Sequence, residues 1–289
     1  MKKVLVIGAR GMLGGEIVKQ FGQDENYEVL GWDFGEIDIT DAESSNEKIR
    51  QEEPEIIINC AAYNNVDEAE TEEGFKKALA LNADAPKTLA EIAKEIDAVF
   101  VQYVTDYVFD GEKGEYVEDD EKSPISKYGE SKARGEDNVK KVGGKYYLVR
   151  ISKLFGLPGK SENAKKSFFE TMLNLAKERN ELKGVDSEKS CFTYVSDLAE
   201  ATKSLLEEKY PFGVYHLINE GAVTWYEGVL KLFEIAGIKN VSVLPVGSDE
   251  FPRLAKIAKS TVLINTKFPK LRHYEDAIKD WLDKRDKIG

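Results

Sequence analysis

Cysteine and histidine are nearly missing from this 289-residue chain, with two of each. Cys60 closes the apolar run Ile56-Ile57-Ile58-Asn59 and Cys191 lies far from it, so no disulfide framework is expected and a reducing cytoplasm fits best. His216 and His273 stand apart without a cysteine cluster nearby, which leaves zinc without a ligand set. No apolar stretch reaches the length of a membrane span, and the run after Met1-Lys2-Lys3 is too short for a signal peptide. Basic residues are outnumbered by acidic ones, 41 to 53, for a net charge of −12. That balance excludes nucleic acid as the main partner, because phosphate backbones need a basic surface. One local pocket can still hold a small anion. Repeats and low-complexity tracts are also lacking, while 42% hydrophobic residues supply a sizeable core.

What is present begins at the N-terminus. Val4-Leu5-Val6-Ile7 runs directly into Gly8-Ala9-Arg10-Gly11-Met12-Leu13-Gly14, a buried-type strand followed by glycines at three-residue spacing and a helical pattern. Such glycines let backbone turn sharply against a pyrophosphate, and the helix N-terminus points partial positive charge at it. Strand-like runs at 3–8, 28–33, 55–59, 99–104 and 146–151 alternate with helical patterns at 13–21, 41–52, 82–96 and 128–142. This repeated βα rhythm predicts an α/β fold, a Rossmann-type doubly wound parallel sheet over residues 1–155. After about Gly156 the rhythm loosens, with strand candidates at 183–185, 213–217 and 241–244 and helices at 167–179, 195–206, 225–236 and 274–285. Residues 156–289 are expected to form mainly a smaller α/β substrate-binding lobe, with segments around 186–215 returning to the main domain. The charged stretch Glu115–Lys122 reads as a solvated loop.

Two further constellations carry chemistry. Tyr128 and Lys132 are spaced i, i+4, on one face of a helix, and no other tyrosine of the thirteen has lysine four residues later. An ammonium beside a phenol favours phenolate, so Lys132 is expected to pull Tyr128 down toward neutrality and make it a general acid or base. Thr105 leaves the fourth strand in Thr105-Asp106-Tyr107-Val108-Phe109-Asp110-Gly111, where a hydroxyl can meet a substrate oxygen.

In this order the three motifs resemble the extended short-chain dehydrogenase/reductase family. Longer runs resemble its dTDP-4-dehydrorhamnose reductase branch: Asn59-Cys60-Ala61-Ala62-Tyr63 with Val66-Asp67-Glu68, the Thr105–Gly111 run, Thr193-Tyr194-Val195-Ser196-Asp197, and Asn265-Thr266-Lys267-Phe268. The resemblance implies hydride transfer from NADPH or NADH to the 4-keto group of a nucleotide-linked 6-deoxyhexose, with dTDP-4-dehydrorhamnose giving dTDP-L-rhamnose. It implies that Tyr128 protonates the forming alkoxide, Lys132 holds the nicotinamide ribose, and Thr105 bonds the keto oxygen. The cofactor side would comprise Gly8, Arg10, Gly11, Met12, Leu13 and Gly14 at the turn, Asp33 by the ribose, Asp38 and Ile39 by the adenine, and Ala61, Ala62 and Tyr63 by the nicotinamide half, with Cys60, Asn82, Tyr128 and Lys132. Val66, Asp106, Tyr107, Lys153, Trp225 and Arg253 would face the sugar nucleotide. The dehydratases of the family carry an Asp-Glu pair after this threonine; here Tyr107 follows Asp106, which counts against dehydration.

The chain departs from that branch chiefly in the substrate half. Arg150-Ile151-Ser152-Lys153 replaces an aromatic with a lysine, the loop Asp186–Phe192 differs from the usual pattern, and Ile257-Ala258 stands for a late Arg-Pro. These changes leave room for a reductase or epimerase of another nucleotide sugar. A non-catalytic dinucleotide-binding regulatory subunit is the third reading. Asp33 would accept from a ribose 2′-hydroxyl, whereas Arg10 would bind a 2′-phosphate, so use of both dinucleotides is expected. His216 reads as a core histidine and Trp225 as packing at a helix start. Some relatives link a dimer through Mg2+ at an acid in the position of Glu16; nothing else in the sequence supports that metal, and monomer and homodimer stay open.

Overall fold

Val4–Ile7 have almost no solvent exposure because both faces of their strand are covered. In the computed structural model, which describes residues 1–161 and 166–287, they lie in β1 (Lys2–Ile7). The chain continues through α1 (Met12–Gly22), β2 (Tyr27–Trp32), α2 (Ala42–Glu52), β3 (Ile56–Asn59), α3 (Glu72–Leu79), α4 (Ala85–Glu95), β4 (Val99–Thr105), the short β5 (Gly114–Tyr116), α5 (Lys127–Val142) and β6 (Tyr146–Ile151). Then come β7 (Leu154–Phe155), α6 (Phe168–Ala176), β8 (Glu181–Val185), β9 (Lys189–Cys191), β10 (Thr193–Tyr194), α7 (Val195–Glu207) and β11 (Gly213–His216). The remainder comprises β12 (Asn219–Glu220), β13 (Ala222–Thr224), α8 (Trp225–Ile235), β14 (Ser242–Val246), β15 (Thr261–Leu263), β16 (Leu271–His273) and α9 (Tyr274–Asp286).

Six parallel strands form the central sheet in the order β2-β1-β3-β4-β6-β11. Alternate side chains of β1 serve opposite layers, as the pleat requires. Val4 and Val6 pack with Ile17 and Phe21 of α1 and with Leu198 and Leu205 of α7. Leu5 and Ile7 pack with Ile49, Leu89, Ile92 and Val139 of α2, α4 and α5. The chain order reverses between β2 and β3 on either side of β1, so their carboxyl ends open the crevice where such sheets bind ligands. A third core, rich in aromatics, joins α6, α8 and α9 through Phe155, Phe169, Phe192 and Trp281.

Two readings of the sequence need correction. Glu115–Lys122 is not simply a solvated loop: β5 pairs in parallel with β15, and Tyr116 and Glu118 are buried. Burial of the Glu118 carboxylate is offset by bonds from Thr266 N at 3.1 Å and Thr266 Oγ1 at 2.6 Å. The helical pattern read over 82–96 also begins too late, since α3 forms before it. Thr71 caps it by accepting from Gly74 N at 3.0 Å, and a π turn over Ala80–Asp84 carries it into α4.

Candidate active site

The glycine turn is built by close backbone approach. Gly8 has φ +77°, and a Cβ there would sit 2.8 Å from Ala61 N; one at Gly14 would sit 2.1 Å from Gly8 O. Gly11 is the N-cap of α1 and supplies no side-chain cap. The first-turn N–H groups at Met12 and Leu13 are therefore left to an external anion. Arg10 N donates to Asp33 Oδ2 at 2.9 Å, while the Arg10 guanidinium pairs with Glu36 Oε1 at 2.5 Å. Glu36, which sequence reasoning missed, thus competes for the group expected to bind a 2′-phosphate. Lys160 N and Ser161 N both donate to Arg10 O, laying a strap over the turn.

Asp38 is exposed and its Oδ1 accepts from Thr40 N and Oγ1, while Ile39 belongs to the core. On the other side of β1, Cys60 N bonds Ile7 O, and Ala61 N donates to Asn59 Oδ1 at 3.1 Å. Asn82 fixes the next step: its Oδ1 accepts from Tyr63 N, and its Nδ2 donates to Tyr63 O and Ser131 Oγ, all near 3.0 Å. Asn82 thereby ties the 61–63 loop to α5. Gly135 permits that closeness, since a Cβ would lie 1.9 Å from Asn82 O. The Tyr63 hydroxyl is buried without a partner among the described residues. A backbone cradle, free helix N–H groups and an orphan hydroxyl at one crevice fit a dinucleotide.

Tyr128 enters the same crevice from the first turn of α5, which Ser126 caps by accepting from Gly129 N. Its ring packs with Tyr63, Val66 and Tyr107, and meets the Tyr107 ring edge-on at 5.5 Å. Lys132, one turn on, donates to Tyr103 O at 3.0 Å, and burial pulls it down to about 8. The expected effect of Lys132 on Tyr128 is not what the geometry gives. Burial pushes the phenol up instead; a bond with Thr105 opposes that rise and the Asp106 charge adds to it. Desolvation of the phenolate outweighs any attraction to an ammonium already engaged by a carbonyl.

Thr105, at the end of β4, accepts from Tyr107 N at 3.3 Å and lies 3.2 Å from Asp106 Oδ1. The Asp106 carboxyl does not line open space: Ser152 Oγ and Thr261 Oγ1 both donate to its Oδ2 at 2.7 Å. Burial raises it, against the effect of these hydroxyls and of Lys153. Neither Ser152 nor Thr261 had a signal in the sequence.

The chain is similar to known proteins over nearly its whole length. The family described as RmlD substrate binding domain matches residues 1–286. The chain belongs to that family. Among its relatives is the dTDP-4-dehydrorhamnose reductase of Aggregatibacter actinomycetemcomitans, 35% identical over 92% of each chain. A crystal structure of a dTDP-4-dehydrorhamnose reductase from Clostridium acetobutylicum superposes with a TM-score of 0.91 at 38% identity, covering 98% of this chain and 99% of that one. The Bacillus anthracis dTDP-4-dehydrorhamnose reductase, solved in complex with NADP, gives 0.91 at 32% identity over 98% and 100%.

Lys153 follows β6 and faces the aromatic side of the site. It has φ +38°, and its ammonium donates to Val223 O at 3.2 Å and Glu188 O at 3.4 Å. It sits 4.3 Å from the Trp225 ring centroid and 5.2 Å from that of Phe192. Burial draws it down to about 8. Trp225 opens α8 as expected, and its Nε1 also donates to buried Glu188 at 3.0 Å. Arg253 is exposed, two residues before Ala255, whose N–H bonds Asp67 Oδ1. His216 is a core histidine, with Nδ1 3.0 Å from Ile264 O and Nε2 3.3 Å from Arg150 Nη1. Glu16 Oε1 takes bonds from Ser196 Oγ and Lys19 Nζ. Among the described residues no cluster of three or more metal-ligating side chains occurs, and no helix is long and apolar enough to cross a membrane.

Proposed function

We propose that this protein reduces the 4-keto group of a nucleotide-linked 6-deoxyhexose with NADH or NADPH, and that dTDP-4-dehydrorhamnose is the substrate. The observation that carries the reading is the meeting of Thr105, Tyr128 and Lys132 at the carboxyl ends of β4 and β6, beside the glycine turn. The names of its relatives support the same reaction.

When bound, the reduced dinucleotide supplies the hydride. The turn Gly8–Gly14 with the first N–H groups of α1 would hold its pyrophosphate, and Asp33 its adenine ribose. Lys132 has donors left after Tyr103 O, and they would hold the nicotinamide ribose hydroxyls. Tyr128 gives its proton to the sugar O4 as charge develops there, and Thr105 donates a hydrogen bond to the same oxygen. A phenol pushed up by burial stays protonated at neutral pH, as an acid in the reductive direction must. Val66, Tyr107, Lys153, Trp225 and Arg253 would form the sugar-nucleotide side, largely from residues 156–289 and the ends of β3, β4 and β6.

Asp33 and Glu36 surround Arg10 with negative charge, which favours the 2′-hydroxyl of NADH over a 2′-phosphate without excluding NADPH. The Lys153–Trp225–Phe192 group favours a second reading, the same chemistry on a different nucleotide sugar. The test is oxidation of each dinucleotide in the presence of dTDP-4-dehydrorhamnose, with identification of the product. Formation of dTDP-L-rhamnose supports the first reading. Dinucleotide binding with no turnover of this substrate contradicts it.

A further inference from the structure

A hydroxyl has one hydrogen to give and two lone pairs to fill. At Thr105, one lone pair is taken by Tyr107 N at 3.3 Å. The contact with Asp106 Oδ1 at 3.2 Å uses either the second lone pair or the threonine's only hydrogen, according to which oxygen carries the proton. If Asp106 is ionised, Thr105 must give its hydrogen to the carboxylate and has none for a substrate. We propose that Asp106 is a neutral acid that orients Thr105: its carboxyl donates to Thr105 Oγ1, fills the second lone pair, and turns the threonine's own hydrogen toward the substrate oxygen. Asp106 is thus a positioning residue. The inference rests on the reading of Thr105 as the donor to the keto oxygen.

The surroundings agree with a neutral acid. Asp106 is 3% exposed, and its Oδ2 receives two hydroxyl hydrogens at 2.7 Å, from Ser152 on the β6 side and Thr261 on β15, as a carbonyl oxygen with two lone pairs can. That leaves Oδ1 as the hydroxyl of the acid. The charged and titratable groups near it are Lys153 after β6, Tyr107, Tyr128 on α5 and Cys191 on β9. Lys153 and the hydroxyls of Thr261, Ser152 and Thr105 favour the carboxylate, but the Lys153 ammonium bonds Glu188 O and Val223 O and is itself drawn toward neutrality. Burial outweighs them and raises the Asp106 carboxyl. A fixed negative charge here would also oppose the alkoxide forming one hydroxyl away, whereas a neutral acid would not.

The decisive experiment is an infrared difference spectrum at neutral pH between substrate-free wild-type protein and D106N. The amide of D106N repeats the neutral acid's pattern, with Oδ1 accepting from Ser152 and Thr261 and Nδ2 donating to Thr105. A protonated-carboxyl C=O band present in the wild type and lost in D106N is expected; its absence from the wild type overturns the proposal. In parallel, kcat with a 4-keto sugar nucleotide should fall at least tenfold further in D106A than in D106N, and equal losses in the two would overturn the orienting role. If D106A does not fold, the spectrum still decides. Wild-type turnover is recorded alongside, so a failed reductase reading shows as absent turnover with the band intact.

Discussion

Around the glycine turn, the contacts that shape the crevice run to backbone: Gly8 against Ala61 N, Gly14 against Gly8 O, Asp33 to Arg10 N, and Asn82 to both the N–H and the C=O of Tyr63. At the ends of β6 and β13 they run between side chains: Lys153 over Trp225 and Phe192, Trp225 to Glu188, Asp106 to Ser152 and Thr261. Each region holds one lysine, the buried Lys132 or the half-buried Lys153, and each lysine is pulled down to about 8 while donating to carbonyl oxygen. The backbone-built side is constrained by what has no side chain, so it tolerates little change in sequence. The other can exchange a pocket's chemistry by exchanging residues.

The contrast can be broken most strongly at the acid between the two regions. Tyr128→Phe should lower kcat by about two to four orders of magnitude while dinucleotide affinity, measured by fluorescence titration, stays within a few-fold; near-normal turnover would remove Tyr128 from the reaction. On the backbone side, Gly14→Ala places a Cβ against a carbonyl oxygen that cannot move away alone. It should cost about 1–3 kcal/mol or more in denaturant unfolding and abolish measurable dinucleotide binding. On the side-chain side, Lys153→Met should leave dinucleotide affinity unchanged and raise KM for the sugar nucleotide about tenfold, an effect of the size of one lost charge-assisted contact.

The two lysines titrate together, at about 8, and are separated by substitution. With Lys132 at about 8, its charged form is complete below that pH and lost above it. Activity should therefore decline as pH rises through about 8, and the decline should persist in Lys153→Met; a limb that vanishes with Lys153 would assign it to the sugar side. The smallest effect is expected at the surface. Glu36→Gln frees Arg10 from an exposed pair worth at most about 1 kcal/mol, so the ratio of kcat/KM for NADPH over NADH should rise about three- to fivefold.

The same division explains what could be read in the sequence. β1, β3 and β4 are buried on both faces, so their continuous apolar runs show in the sequence, as do the glycines whose missing Cβ atoms make the turn. Tyr128 and Lys132 were visible because helical spacing places them locally. By contrast α3 has only 8 residues and buries just Gly74 and Ala78, so its apolar period runs for too few turns to stand out. β5 exists through its pairing with β15, about 150 residues away, and Glu118 is buried by Thr266 from the same distant stretch. Glu36, Ser152, Thr261 and Glu188 are ordinary polar residues whose roles arise only when separate elements meet, so no local pattern marks them.

The central claim is that Thr105, Tyr128 and Lys132 serve reduction at the sugar C4. Its most direct test uses reduced dinucleotide carrying deuterium at the transferable position of the nicotinamide, with dTDP-4-dehydrorhamnose as acceptor. The account predicts deuterium at C4 of the dTDP-L-rhamnose formed, with the transfer lost in Tyr128→Phe. A product without deuterium at C4, or undiminished transfer in that variant, would contradict it.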